Sequence, residues 1–416
     1  MKHALLPIGI ALVLANSAAA DSVFSGGHTK ARLNLAEVPN DSLYQEYLDD
    51  PTFDQGADLR LKFRKQGTHW GADADYQLIG QFGDSLELAR QFVGVVPGSG
   101  TVQNDDRRLM NLTSTLGDGD DYEVLHRLDR LSVSWRKDQW VARVGRQAVS
   151  WGNGMMYNPM DIFNPFDPAA VDKEYKSGDD MAYGQYLRDN GDDVQAVWVV
   201  RRDEDKNLDQ AVNSLSVKYH GFLGEYEYDV LLAEHYDDLV AGVGGIVPFG
   251  GAVLRGDITV ADTDEDTVVS AVASVSYSWV GFGKNMSGVL EYFYNGFGQD
   301  DDEYGVEFLQ DNPDLLARLG RGELFTLGKH YLAAGVLVEM SPLFNVTPNL
   351  FLNLEDGSFL AQVVGQYDVS QNWQLLLAVN LPVGDSGTEF GGIDSGVQGL
   401  QLSQGASVFT QLAWYF

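Results

Sequence analysis

The fold is decided by the stretch Leu59-Arg60-Leu61-Lys62-Phe63-Arg64. Apolar and basic residues alternate in it, so a strand formed here has one apolar face and one charged face. The same period of two recurs at 215–220, 225–230 and 273–279. The chain is therefore expected to consist of strands whose two faces meet different surroundings, either as a soluble sandwich or as a membrane barrel.

Candidate strands follow one another along nearly the whole chain. We place them at 28–37, 56–66, 70–82, 126–136, 139–150, 181–188, 192–203, 211–221, 224–235, 239–247, 251–260, 267–280, 286–297, 328–341, 344–355, 358–368, 373–381 and 406–416. This amounts to about eighteen strands, with sixteen as the alternative, and bacterial outer-membrane barrels have an even number.

The lengths of the connections separate the barrel from the sandwich. After even-numbered strands they are short, as at 67–69, 190–191 and 342–343, and after odd-numbered strands many are long: 38–55, 83–125, 151–180, 298–327 and 382–405. Barrels have short periplasmic turns and long external loops. We therefore predict an all-β, antiparallel transmembrane barrel as a single domain over 21–416. A soluble β-protein, the structural runner-up, has no reason to keep this pattern.

The N-terminus indicates export. Lys2 and His3 precede an apolar stretch at 4–15, and the alanines at 18–20 form a small-residue cleavage site before Asp21. Residues 1–20 are predicted to be a signal peptide. The chain contains no cysteine, which suits a large barrel held by strand pairing in the outer membrane of a Gram-negative bacterium.

The last strand carries a further indication. Val408, Thr410, Leu412, Trp414 and Phe416 share one face, and the chain ends on phenylalanine. This ending is similar to the C-terminal signal that the barrel assembly machinery reads. Trp414 and Phe416 are therefore predicted to form an assembly signal, with that machinery as a partner during biogenesis.

The net charge of −32 excludes a nucleic-acid partner, whose phosphates would be repelled. The acidic surplus lies in the predicted loops, where carboxylates keep the surface soluble and can bridge to lipopolysaccharide through divalent cations. Outer-membrane lipid and lipopolysaccharide are the expected surroundings. We predict no dedicated metal site and no cofactor.

Basic residues fall on the polar face of several predicted strands, chiefly in the N-terminal half. They are Lys30, Arg32, Arg60, Lys62, Arg64, Arg130, Arg136, Arg143 and Arg201. An arginine facing lipid at mid-bilayer costs about 2–4 kcal/mol, so these side chains are expected to face the lumen. They either favour polar or anionic solutes, as basic rings in pores do, or stiffen the wall by pairing with Asp73, Asp75 and Glu291.

One segment, 144–168, stands apart because it turns from strand into a loop rich in Gly, Pro and Asn. Its prolines fix backbone angles, which favours an ordered loop. We expect this loop to fold inward and constrict the lumen. The residues predicted to do so are Asn158, Pro159, Asp161, Phe163, Asn164, Pro165, Phe166, Lys173 and Lys176.

The pattern Gly145-Arg146-Gln147, Ser150-Trp151-Gly152, Asn158-Pro159 and Asn164-Pro165 resembles porin-like outer-membrane families, including alginate-export-type barrels. The resemblance implies an eighteen-stranded barrel and, for the alginate exporters, an arginine-rich conduit for an anionic polysaccharide. It covers about thirty residues of the chain.

The favoured function is a passive channel for polar, anionic solutes, and we predict that the protein is not an enzyme. One alternative is the outer-membrane component of a trans-envelope lipid or solute export system. Another is an outer-membrane hydrolase, although no histidine lies in a recognisable nucleophile motif. An energised receptor would need a plug domain before the first strand, where there is no room for one. The solute, the direction of flow and the oligomeric state stay open at this point.

Overall fold

The computed structural model describes residues 23–91 and 104–416, and strands dominate it. The strands are β1 (Phe24–Ala36), β2 (Thr52–Gln66), β3 (Trp70–Gly83), β4 (Thr113–Gly119), β5 (Tyr122–Lys137), β6 (Trp140–Gln147), β7 (Asp179–Leu187), β8 (Asp193–Val199), β9 (Ser214–Leu223), β10 (Tyr226–His235), β11 (Asp238–Phe249), β12 (Ala252–Asp262), β13 (Thr267–Gly281), β14 (Lys284–Tyr294), β15 (His330–Ser341), β16 (Phe344–Asn353), β17 (Phe359–Ser370), β18 (Trp373–Val383), β19 (Ile393–Asp394), β20 (Gln401–Leu402) and β21 (Ser407–Tyr415). The helices are a 3-10 turn (Leu43–Glu46), α1 (Asp84–Gln91), α2 (Val306–Gln310) and α3 (Pro313–Arg321). The signal segment predicted for residues 1–20 lies outside the described residues.

Eighteen of these strands, all except β4, β19 and β20, form one closed antiparallel wall. Strands that follow one another in the wall pair with each other, and β21 pairs with both β18 and β1, where Tyr415 lies opposite His28. Closure pairs both edges of the sheet, which a membrane-spanning sheet requires. The prediction of an all-β antiparallel barrel with about eighteen strands is confirmed.

Tight turns join the wall strands at one end of the barrel, whereas the other end combines long loops with three short connections at 236–237, 263–266 and 354–358. In the turn between β13 and β14, Phe282 and Gly283 have φ of 51° and 72°, as a two-residue hairpin with both residues left-handed requires. Strand β1 begins and β21 ends at this turn end, where the rings of Phe24 and Phe416 are 6.2 Å apart. The opposite end, called the outer end below, carries the long connections 37–51, 84–121, 148–178, 295–329 and 384–406.

The period of two in the sequence separates the two faces of the wall. On β10, Val230 and Leu232 are 42% and 58% exposed. Asp229 and Leu231, which alternate with them along the strand, are 3% and 0% exposed. The exposed face is the apolar one. This is the inverse of a soluble protein and is what contact with lipid requires.

The wall is irregular where β6 ends early, at Gln147 instead of the predicted residue 150. Gly145 has a φ of 123°, and a Cβ at this position would clash with the Leu131 carbonyl. The chain then leaves the wall, so β6 pairs only with the turn-end half of β5. The short strand β4, which falls inside a predicted loop, takes the vacated pairing position on the outer half of β5.

Helices are confined to the loops. In α3, the Asn312 side chain caps the helix by accepting a hydrogen bond from the Leu315 amide at 3.0 Å. No helix within residues 23–91 and 104–416 is long and apolar enough to cross a membrane.

Candidate functional site: a loop across the barrel lumen

Residues 148–178, which we call the lumen loop, connect β6 to β7 through the interior of the barrel. Asp172 lies 2.7 Å from the Lys30 ammonium on β1, and the Ala169 carbonyl accepts a hydrogen bond from Gln362 on β17 at 2.8 Å. On the other side, Trp151 Nε1 donates to Gln195 Oε1 on β8 at 2.8 Å. The loop therefore touches strands around much of the wall.

Acidic side chains of the wall hold the backbone of the lumen loop. Glu291 on β14, which is fully buried, accepts hydrogen bonds from the amides of Met155, Met156 and Tyr157 at 2.7, 3.0 and 2.6 Å. Asp257 on β12 accepts from the Asn153 amide at 2.6 Å and from its side chain at 2.7 Å. Charge-assisted hydrogen bonds of this kind are stronger than neutral ones, so this segment is fixed to the wall.

Asp257 needs space in the neighbouring strand to reach the loop. That space comes from Gly244 on β11, because a Cβ at this position would clash with Asp257 Oδ1 and approach the Asn153 side chain. Asp229 on β10 completes the row, since its Oδ2 accepts from Asn153 Nδ2 at 3.1 Å. Because Gly244 has no side chain, the backbone of the lumen loop at Asn153 can lie directly against the barrel wall.

Apolar contacts hold the same side of the lumen loop. Trp151, Met160 and Phe163 pack in one buried cluster with Val197 on β8 and Leu231 on β10. Further along the wall, the ring of Tyr157 stacks on Phe293 of β14 with 4.8 Å between the centroids. The first part of the lumen loop, 151–163, is thus packed against the half of the barrel formed by β7 to β15.

A buried ion pair closes the base of the lumen loop. Lys176 Nζ lies 2.5 Å from Asp161 Oδ1 and also donates to the Val149 carbonyl at 2.6 Å and to Ser150 Oγ at 3.1 Å. Burial raises the pKa of Asp161 to about 6, although the Lys176 ammonium opposes this increase. Burial also lowers the pKa of Lys176, which its acidic partner opposes.

The opposite half of the barrel carries a network of basic side chains. Arg60 on β2 contacts Asp129 at 2.7 Å and Asp75 at 3.4 Å, and both acids are buried. The same Asp129 carboxylate also pairs with Arg127 at 3.3 Å and Arg130 at 2.9 Å. One carboxylate therefore faces three guanidinium groups, which leaves this part of the wall positively charged.

A polar cavity lies between this wall and the lumen loop, with about 940 Å³ of empty space including the part open to solvent, and we call it the basic cavity. Its charged lining consists of five basic residues, Lys30, Arg32, Arg60, Arg127 and Lys176, and three acidic ones, Asp58, Asp129 and Asp172. Counted over these lining residues alone, with His28 neutral, the excess is two positive charges, and Asp161 and Glu174 outside the lining pair with Lys176 and Lys30. Arg32 is the most accessible of these bases, because its side chain is 36% exposed and its nearest carboxylate, Asp172, is 4.0 Å away.

The predicted basic residues occupy several environments. Lys30, Arg32 and Arg60 line the basic cavity, Lys62 contacts the Tyr175 hydroxyl of the lumen loop, and Arg64 pairs with Asp73 and Asp75. Arg130 reaches the Lys176 carbonyl, Arg136 is exposed near the turn end, and Arg143 is half-buried on β6. Arg201 lies beyond the end of β8, where it contacts Asp179 at 3.2 Å and stacks on Tyr236.

The residues predicted to form the constricting loop also occupy several environments. Phe163 packs into the wall, Asn164 donates to Asp179 at 3.0 Å, and Lys173 donates to the Pro168 carbonyl at 2.8 Å. Asn158, Pro159, Asp161, Pro165 and Phe166 line a second, apolar cavity on the other side of the loop. Lys176 alone of the predicted set lines the basic cavity.

Sequence reasoning missed several residues that organise the site. Asp257 and Asp129 lie on the polar faces of their strands, so alternation could have placed them in the lumen, but no local signal shows what they hold. Arg146 of the Gly-Arg-Gln pattern pairs with Asp105 at 2.7 Å and Asp180 at 2.8 Å. These contacts fasten the segment before β4 to the wall at the place where β6 ends.

A Ser-His-acid arrangement occurs near the outer end. His235 Nδ1 lies 2.8 Å from Ser214 Oγ, and His235 Nε2 lies 2.9 Å from Glu323 Oε1. Ser214 is only 1% exposed, and its hydroxyl also accepts a hydrogen bond from Arg201 at 2.6 Å. An enclosed hydroxyl held by a guanidinium is poorly placed to attack a substrate, so this arrangement joins β9 and β10 to the loop at 295–329. Within residues 23–91 and 104–416 there is no group of three or more His, Asp and Glu side chains that could hold a metal ion.

Neither a protein-family model nor a curated protein matches the chain. Several solved structures share its fold. Wzi of Escherichia coli, an outer-membrane protein involved in group 1 capsule assembly and described as a carbohydrate-binding β-barrel, has a TM-score of 0.53 at 9% identity, with 95% of this chain and 85% of Wzi covered. A BenF-like porin from Pseudomonas fluorescens has a TM-score of 0.50 at 10% identity, covering 95% of this chain and 99% of the porin. OccK5 of Pseudomonas aeruginosa has a TM-score of 0.50 at 10% identity, covering 94% and 97%.

These similarities concern the fold, and they confirm the predicted likeness to porin-like outer-membrane barrels. The chain has the closed eighteen-stranded architecture of that class. The predicted location in the outer membrane of a Gram-negative bacterium agrees with the class.

Proposed function

We propose that the protein is an outer-membrane channel for the passive passage of small polar solutes, with a preference for anions. The observation that carries this proposal is that the lumen loop is fixed most extensively on one side of the barrel. Its first part, 151–163, is anchored to the half from β7 to β15, whereas its last part, 172–176, reaches β1 and β2 beside the basic cavity. The lumen loop thereby acts as a constriction with a positively charged opening beside it.

Charge at the narrowest part of a pore controls which ions pass. The lining of the basic cavity has an excess of two positive charges, and most of its bases are partly or fully buried, where charges are screened less than at the surface. The acidic residues of the outer loops, such as Asp300, Asp301 and Asp302, stand in bulk solvent, where charges are screened over about 8 Å at physiological ionic strength. We therefore expect the basic cavity, rather than the acidic mouth, to set the preference.

The remaining lumen suits a passage for polar solutes. The interior faces of β13, β17 and β18 carry the uncharged residues Ser274, Gln362 and Asn380, of which Gln362 donates a hydrogen bond to Asn380 at 3.0 Å. Such groups replace part of the hydration of a polar solute without holding it tightly. The barrel is expected to act as a single domain over 21–416, in contact with outer-membrane lipid and lipopolysaccharide.

Passage can be tested with proteoliposomes that contain the full mature chain, diluted into isosmotic solutions of arabinose or of a larger tetrasaccharide. Swelling in arabinose above that of protein-free liposomes, with little swelling in the tetrasaccharide, is the expected result for a constricted open channel. Equal swelling in both sugars would contradict the constriction, and no swelling in either would contradict an open channel.

A further inference from the structure

A second cavity lies on the side of the lumen loop that faces away from the basic cavity, and its empty space, including the part open to solvent, is about 770 Å³. Its floor is the lumen loop from Met156 to Pro168, its side is the interior face of β10 to β14, and its cover is the loop at 295–329 that contains α3. We call it the apolar cavity. It is separated from the basic cavity by the Asp161–Lys176 ion pair, since Asp161 lines the first and Lys176 the second.

The lining of the apolar cavity is unusual for the interior of a polar channel. Phe166, Phe293, Phe297 and Phe325 contribute aromatic rings, and Met156 and Ile162 add aliphatic surface. Apolar surface that faces water is unfavourable, and a concave apolar pocket with a few polar groups is the usual form of a small-molecule site. The cavity is not filled by the packing of the loop itself.

The ionised residues around the apolar cavity are all neutralised by one another. Glu323 lies 2.9 Å from His235 and 3.0 Å from Arg321, and Asp161 lies 2.5 Å from Lys176. Arg318 lies 2.6 Å from Asp238. No charge is left over for a charged ligand, which would also lose its hydration on entering an apolar space.

The walls are held in place without a ligand. Pro159, Pro165 and Pro168 restrict the backbone of the floor, and the Tyr157 ring is stacked on Phe293 beside it. A preformed site loses little ordering entropy on binding. We propose that the apolar cavity binds a small uncharged aromatic molecule, at a site distinct from the basic passage.

The test uses the purified full-length barrel in lipid nanodiscs and two probes of nearly equal size, 4-bromobenzyl alcohol and 4-bromobenzoate. Equilibrium dialysis against empty nanodiscs measures binding in solution, and anomalous scattering from bromine in co-crystals locates the bound molecule. We expect saturable binding of the alcohol with a bromine peak between Phe166 and Phe293, and at least tenfold weaker binding of the benzoate. This readout does not depend on whether the channel conducts, so it is independent of the proposed transport function.

A pair of variants on one strand supplies the control. Val240 lines the apolar cavity, whereas Val243 on the same strand faces lipid and is 53% exposed. Val240→Phe is expected to fill the cavity and abolish binding of the alcohol, and Val243→Phe to leave it unchanged. If Val240→Phe fails to fold, Ala261→Leu on β12 reduces the same space by less and should weaken binding. Binding unchanged in both cavity variants, equal binding of the benzoate, or bromine peaks only on the lipid-facing surface would each overturn the proposal.

Discussion

Glu291 and Tyr157, which are 134 residues apart in the chain, are joined by a 2.6 Å hydrogen bond from the Tyr157 amide to the Glu291 carboxylate. The same carboxylate holds the two preceding amides. One buried side chain on β14 thus holds three consecutive amides of the lumen loop. Under the proposed function, contacts of this kind fix the width of the passage from the side of the barrel away from the basic cavity.

Glu291→Gln should loosen the lumen loop. A neutral amide oxygen cannot replace a carboxylate that accepts three N–H groups, and hydrogen bonds to charged groups contribute about 1.5–3 kcal/mol each. We expect larger and noisier single-channel conductance, because the loop leaves its position for part of the time. The measurement is the distribution of open-channel current in planar bilayers.

The matched control is Glu339→Gln on β15. Glu339 also faces the interior, but it is half-buried near the turn end, where it accepts a hydrogen bond from Asn285 at 2.6 Å. Its substitution should leave the current distribution unchanged. Equal noise in the two variants would show that Glu291 has no special part in holding the loop.

Lys176→Met should destabilise the barrel by about 3–5 kcal/mol, because it leaves the Asp161 carboxylate buried without its partner. Removing both charges in Asp161→Asn/Lys176→Met should restore most of that loss. Urea-induced unfolding in lipid vesicles measures both effects. The exposed pair Arg107–Glu204, at 2.7 Å, is the comparison, and Arg107→Met should cost less than about 1 kcal/mol.

Glu389 should make the outer loops sensitive to pH. Burial raises the pKa of Glu389 to about 7, and Asp356 adds to this effect while hydrogen bonds from Tyr331 and Asn353 oppose it. Between pH 4.5 and 7 the Glu389 carboxyl is protonated in the native state and ionised in the unfolded chain. The free energy of unfolding therefore falls as pH rises from about 4.5 to 7, and it levels off above that range. Hydrogen exchange of the Leu327 amide, which donates to Glu389 at 3.2 Å, should therefore accelerate over this interval.

Glu389→Gln removes the titrating group. After correction for the intrinsic pH dependence of exchange, the protection of this amide should become independent of pH between 4.5 and 7. If Glu389→Gln keeps the full pH dependence of exchange at the Leu327 amide, another group is responsible for it.

Phe416→Ala should slow assembly of the barrel in cells. Its ring packs near Trp414 at 4.8 Å, and a Cβ on Gly27 would come within 3.0 Å of it, so the C-terminal side chain helps to close the seam between β21 and β1. Heat-modifiable mobility on gels measures the folded fraction over time. Phe249→Ala, at the exposed end of β11, should assemble like the wild type if the effect depends on the terminal position rather than on aromatic surface alone.

Much of the wall could be predicted from the sequence, because lipid and lumen impose opposite requirements on alternate residues. β13 and β16 lie within two residues of their predicted bounds at each end. Predictions were less accurate where the pairing is not local. β6 ends early because the chain enters the lumen, and β4 fills the gap by pairing across a long loop.

The candidate site could likewise be predicted only where local patterns determine it. Alternation placed Lys30, Arg32 and Arg60 on the interior face, and the proline-rich segment indicated an ordered loop. The partners of that loop come from strands more than 100 residues away, such as Asp257 and Glu291, and no local pattern reports such distances. Arg201 showed the limit of alternation, since it lies beyond the end of its strand.

The reversal potential of single channels in a potassium chloride gradient shows whether the basic cavity gives the passage its anion preference. The wild type should be anion-selective, and Arg32→Glu, which reverses the most accessible charge of this cavity, should move the reversal potential toward cation selectivity. Arg107→Glu, on an outer loop, should leave it nearly unchanged. Cation selectivity in the wild type, or a shift as large in Arg107→Glu as in Arg32→Glu, would contradict the account.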